Sequence, residues 1–265
     1  MIFLKKINRE ADKVAGNVLK EAFSEGLNRE FSYADMAILG ILENIINQVK
    51  SLEILHEQNH NTSADIIIRA IFENYVYLKF LLKDNTELKG KSYQYSVRLS
   101  EFSLVDKLKD QSLDGKRLRD FIGVKLVDIE NMYDTKTDPG QRVRIEKEYL
   151  EVIGMKRLEQ KWYNLDGKTK NFKDLCNHLQ MNTEYEFIYS LMSKEAHGKD
   201  ANEWFELKEY LVMMKQSSNY KENYLHIQLA SMYLMESVKE VYNYYGMKSR
   251  KRHFEAMLGV HKRLS

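Results

Sequence analysis

The chain has 265 residues, with 41 Lys plus Arg against 39 Asp plus Glu and a formal charge of +2. Hydrophobic residues make up 43% and charged residues 30%, which excludes wholesale disorder, and near neutrality argues against a surface dedicated to coating nucleic acid. One cysteine, Cys176, excludes an internal disulfide and a cysteine-based zinc cluster. One proline and 12 glycines in a chain this long point to helix, because strands need frequent turn residues. No apolar run reaches the ~18–20 residues of a membrane span, and the opening MIFLKK is too short for a signal peptide, so a cytoplasmic location is expected.

In chain order, periodicity predicts a first helix over about 3–23, ended by Ser24-Glu25-Gly26. A second, about 33–57, sets Ile38, Ile41, Leu42, Ile45, Val49, Leu52 and Leu55 at spacings of three and four. Asn61-Thr62-Ser63 then caps a third, about 64–83, which is apolar on nearly every side and therefore predicted to be central and buried. Residues 89–165 are more polar and read as two or three amphipathic helices, with breaks near Asp114-Gly115 and Asp138-Pro139-Gly140. Further helices are predicted over about 171–179, 183–197, 201–214 and 220–245, with Gly198 and Gly246 as stops. The expected fold class is all-α: a single multi-helix bundle over 1–247 built round the central helix, with a peripheral helical insertion at 89–165. The segment 248–265 is a basic tail or short helix; the last twenty residues, from Gly246, carry six Lys and Arg against the single acid Glu255.

Two polar ladders stand out. Asp65, Arg69, Glu73 and Tyr77 recur every fourth residue and share one face, with Asn74 beside them. On so apolar a helix, Arg69 and Glu73 are expected to be withdrawn from solvent, where charges survive only when paired. The bland meaning is an ion pair that fixes packing; the functional one is an anion-binding arginine with a carboxylate base. Tyr185, Tyr189, Ser193 and His197 form a second four-step ladder, and Gly198 puts His197 at a helix C-terminus, where the protonated imidazole is favoured. Helical bundles build sites from facing side chains, so Arg69, Glu73 and His197 are expected to line one cavity.

A third signal is His56-Glu57-Gln58-Asn59-His60, the H-E-x-x-H spacing of zinc peptidases. Its polar interior and the boundary at 61–63 weaken it, and His56 and His60 are the low-ranked metal ligands. No Walker loop, no G-x-G-x-x-G after a strand and no G-x-S-x-G occurs.

The segments IIIRAIFENYVYLKFLL and KWYNLDGKTKNFKDLCNHLQMNTEYEFIYSLMSKEAHG resemble a bacterial all-helical family classed as a domain of unknown function. The likeness rests on the R-x-x-x-E helix (Arg69, Glu73), Trp162 before a short helix, and a closing Y-x-x-x-S-x-x-x-H-G (Tyr189, Ser193, His197, Gly198). It covers about 61–83 and 162–199 and implies a helical fold, with no activity to carry over.

Three functional classes follow from these residues. The first is a phosphoester-directed hydrolase, a nuclease or nucleotide hydrolase of toxin or phage-defence type. In it Arg69, Glu73, His197 and Ser193 are catalytic, and Tyr77, Asn74, Tyr189 and Trp162 bind substrate. The basic tail then engages nucleic acid or nucleotide. The second is a non-enzymatic helical sensor or interaction module, and the third a zinc peptidase. The residues name no cofactor, and they leave a homo-oligomer or a protein partner open.

Overall fold

The fold is that of a computed structural model, which describes residues 2–24, 29–58, 60, 63–134, 139–192, 205–208, 211–214 and 224–262. The chain divides into two compact units, one from residues 1–84 with 176–265 and one from residues 85–175. Both are predominantly helical bundles.

The first unit opens with α1 (Ile2–Ala11) and α2 (Val14–Ala22), where periodicity predicts one helix. The buried residues Leu4, Ile7, Ala11, Val14 and Val18 keep helical spacing throughout. Between them the backbone tightens: the Lys13 N–H reaches the Glu10 carbonyl, three residues back. α3 (Tyr33–Glu57) starts at a capping box in which the Ser32 hydroxyl accepts from the Asp35 N–H and the Asp35 carboxylate accepts from the Ser32 N–H. That carboxylate is buried, and it also accepts from Arg29 (2.9 Å) and from the hydroxyl of Tyr245 (2.8 Å).

α4 (Ala64–Lys83) packs against α3, α10 (Asn182–Met192) and α11 (Tyr224–Tyr244). Ile68, Ile71, Phe72, Val76, Leu78 and Leu81 are buried there, each such side chain contributing about 1.5–3 kcal/mol. The helix is not enclosed all round: Ile66 is 44% exposed, and Ile67, Ala70 and Leu82 are half-buried. Ser63 occupies the cap position, but its side chain makes no capping bond.

Residues 201–214, expected to be helical, instead contain an antiparallel pair, β1 (Phe205–Lys208) and β2 (Leu211–Met214), in the register Phe205↔Met214 to Lys208↔Leu211. α9 (Phe172–His178) leads through a short turn into α10, and Gly246, at φ +70°, ends the turn after α11. The basic C-terminal segment is a packed helix, α12 (Lys248–Lys262), seated on α11 and α1 with Phe254 buried and Arg250 paired to Glu21 of α2 (2.7 Å).

The second unit holds α5 (Thr86–Lys109), α6 (Leu113–Ile122), α7 (Leu126–Asp134), α8 (Pro139–Lys147) and a π-helical turn, Glu148–Val152. The chain thus breaks just before Leu113, near the expected Asp114-Gly115, and again after Ile122. Gly115 lies inside the first turn of α6, where a Cβ would fall 2.1 Å from the Asp110 carbonyl oxygen. Gly123, at φ +71°, supplies the left-handed stop, and Pro139 opens α8, a position that needs no N–H. The core gathers Tyr95, Phe102, Ile145, Tyr149, Ile153 and Met155. Among the described residues no helix is long and apolar enough to cross a membrane.

Candidate functional site

The polar ladder of α4 has a partner on each helix beside it. At its start Asp65 Oδ1 lies 2.5 Å from Nε2 of His226, which is only 5% exposed on α11. Farther along, the Asn74 amide donates to Gln48 Oε1 of α3 (3.1 Å) and to the Ala70 carbonyl (3.1 Å). Between these two lies the cluster of most chemical interest.

Arg69 Nε donates to Glu73 Oε1 at 3.0 Å, one helical turn away. The hydroxyl of Tyr189, from α10, donates to the same oxygen. The Arg69 guanidinium carbon sits 4.3 Å from the Tyr189 ring centroid, and Tyr185 stacks on the other tyrosine with centroids 4.5 Å apart. Residues of the two ladders therefore meet at Glu73. Arg69 and Glu73 keep side-chain exposures of 25% and 31%, so they are not withdrawn from solvent as the apolar composition of α4 suggests. The open first turns of α4 account for this.

Burial pushes the Tyr189 phenol well above its ordinary range, reinforced by its bond to Glu73 and opposed by Arg69, so it stays protonated and acts as a donor. For Arg69, burial pulls the other way, but the bonds to Glu73 and Tyr189 outweigh it and the guanidinium stays charged. Glu73 Oε1 is thus fixed by two donors, while Oε2 has no bond to any described residue.

Of the other expected site residues, Tyr77 lies one turn beyond Glu73 and is half-buried. Ser193 and His197 lie outside the described residues, and with them the expected cavity with Arg69. Trp162 belongs to the second unit, where its ring packs edge-on to Tyr93 (5.0 Å) and its carbonyl accepts from Ser92 (2.7 Å). In the H-E-x-x-H string, α3 ends at Glu57, so His60 is not one helical turn above His56, and Glu57 pairs with Lys5 of α1. Among the described residues no three His, Cys, Asp or Glu side chains are placed to hold a metal.

His226 and Gln48 were not legible as partners. His226 falls on an apolar stripe with Ala230 and Tyr233, and a lone imidazole in such a stripe is the one signal that could have marked it.

A family of unknown function, DUF5677, matches residues 35–216. The chain belongs to that family. The DUF5677 span takes in most of α3, all of α4 to α10 and both strands, and so Arg69, Glu73 and Tyr189; α1, α2, α11 and α12 lie outside it. Both segments behind the resemblance noted from the sequence fall within the DUF5677 match. No curated protein and no solved structure matches the chain.

Proposed function

We propose that this DUF5677 chain is a phosphoester-directed hydrolase acting on nucleic acid or a nucleotide, with Glu73 as its proton acceptor. The observation that carries the reading is the asymmetry of that carboxylate: two donors hold Oε1, and Oε2 is left without a bond to any described residue. A carboxylate held by one oxygen and partly open to solvent is oriented to take a proton from a water or hydroxyl nucleophile. Arg69, charged and stacked on Tyr189, supplies the positive potential that a phosphate requires. His197 and Ser193 enter from the sequence pattern alone, His197 as the proton donor to the leaving group. The toxin or phage-defence setting belongs to the same proposal, since an unrestrained nuclease or nucleotide hydrolase harms the cell that makes it.

A sensor or interaction module is the second reading, favoured by the mutual satisfaction of Arg69, Glu73 and Tyr189, which need no substrate to balance them. The test is product release from single-stranded RNA, single-stranded DNA and nucleoside triphosphates, together with growth on expression. The hydrolase reading expects turnover that falls at least about a hundredfold in Glu73→Gln with the helical signal retained. No turnover of any substrate and no growth defect would overturn it in favour of the module.

A further inference from the structure

The C-terminal half of α4 borders a cleft that the Glu73 cluster does not use. Lys79 and Lys83 of α4, His178 and Gln180 from the end of α9 and the turn after it, and Asn243 and Tyr244 of α11 surround about 510 Å³. Asn243 is also a wall of a second depression of about 430 Å³, whose other cations are Lys248, Lys251 and Arg252 of α12. The two hollows thus adjoin and carry five permanent cations against two carboxylates, Glu240 and Glu255.

The positive charge is poorly neutralised from within. Among the described residues Lys83 reaches only the His178 carbonyl, at 3.4 Å, and Lys79 lies 5.6 Å from the Tyr75 ring centroid. Among the described residues no carboxylate pairs with Lys248, Lys251 or Arg252, whereas Arg250 on the same helix is tied to Glu21. Burial holds the Glu240 carboxyl above its ordinary range, with Lys79 opposing. Unbalanced cations in a concave surface focus a positive potential, and the larger hollow has the volume of a small-molecule site.

One carboxylate ligand would not answer five cations spread over two hollows; a row of phosphates would. Beside that row stand groups that can hydrogen-bond a base: the Asn243 and Gln180 amides offer both donors and acceptors. The Tyr244 ring lines the same hollow, already edge-on to Tyr245 (4.9 Å) and 5.8 Å from the Arg29 guanidinium. Gln180 is held at φ +59°, a backbone region that non-glycine residues seldom occupy.

We infer that this cleft binds the phosphates and base of a nucleotide unit, either free or within a single strand. The inference does not rest on the role given to Glu73, which lies ten residues back from Lys83, about 15 Å along the helix.

The experiment is fluorescence anisotropy of the full chain with a labelled 12-nucleotide single strand and with a labelled ATP, at several salt concentrations. Wild type is expected to bind at least one of them with a dissociation constant of about 10⁻⁶–10⁻⁴ M. Combining Lys83→Gln, Lys248→Gln and Arg252→Gln, all at exposed positions, should weaken binding at least about tenfold. For the strand, the salt slope should drop by about 2. Asn243→Trp, which fills the shared wall, should weaken binding without changing charge. The matched set Lys116→Gln, Lys125→Gln and Lys170→Gln in the other unit should change little. Displacement of the strand by unlabelled ATP would assign a free nucleotide, and its persistence would assign the strand. Binding of neither probe, or equal losses in the cleft and control sets, would overturn the inference.

Discussion

Glu73→Gln measures how much the central cluster contributes to the fold. Glutamine keeps an acceptor oxygen where Oε1 stands, so the bonds from Arg69 and Tyr189 persist but lose their charge. Hydrogen bonds to a charged group contribute about 1.5–3 kcal/mol and neutral ones about 0.5–1.5, a loss of about 1 kcal/mol for each of the two bonds. Exposures of 25% and 31% admit solvent screening and lower the sum to about 1–1.5 kcal/mol. That is well below the ~3–5 kcal/mol of breaking a fully buried pair. In a chain of this length the melting temperature should fall by about 2–6 °C. Urea denaturation at pH 7 gives the free energy directly, with an unchanged m-value as the check that the denatured state is unaltered. Tyr189→Phe, alone and combined, should show a coupling of about 0.5–1 kcal/mol with Glu73→Gln. A loss above about 3 kcal/mol would mean that the pair is sealed from water, and a loss near zero with no coupling would mean that the shared bond is absent. Either result would refute the geometry on which the proton-acceptor role stands.

Two further outcomes test the interior and the backbone. Burial pushes the thiol of Cys176 and the phenol of Tyr149 up to about 12, with Glu184 and Glu73 adding to the thiol's rise. The unfolded groups ionise near their ordinary 9.0 and 10.0, so their contribution is complete below about pH 9 and is lost as pH rises from there toward 12. Urea midpoints should therefore fall between pH 8 and pH 10.5; a flat profile, or native Cys176 alkylated as fast as the unfolded thiol, would contradict the packing. Gln180→Gly relieves a left-handed backbone and should raise stability by about 0.5–1 kcal/mol in thermal melts, whereas a loss would show that the side chain is tied in place.

The long central helices were legible because their apolar stripes are long: the spacing over 33–57 and 64–83 coincides with α3 and α4. Where the structure departs, the stripe carried no information. The step between α1 and α2 leaves Leu4, Ile7, Ala11, Val14 and Val18 in helical phase, so periodicity cannot register it. Strands of four residues, Phe-Glu-Leu-Lys and Leu-Val-Met-Met, are too short for a period of two to be told from one of 3.6. Gly115 reads as a breaker, although its lack of a Cβ serves a close approach inside a helix. In the site, the four-residue step from Arg69 to Glu73 is local and so visible, and the four-step ladder marked Tyr189. Their union spans 116 residues and depends on how α10 crosses α4, which no local pattern encodes. Solvent access misled for the same reason: an apolar helix shows what it can bury, not which turns its neighbours cover.

The outer position of α11 relative to the family match has a consequence for anyone cutting the chain. Conservation of a sequence signature and closure of a folding unit are different boundaries, and here they disagree. A fragment trimmed to residues 35–216 would keep every DUF5677 position yet lose the helix that covers α3 and α4. Tyr233, which packs against Phe72 (5.7 Å) and Tyr75 (5.1 Å), would go with it, and Asp65 would lose its imidazole. The signature alone would be a half-sided bundle, prone to seek a substitute for its missing wall in another copy of itself.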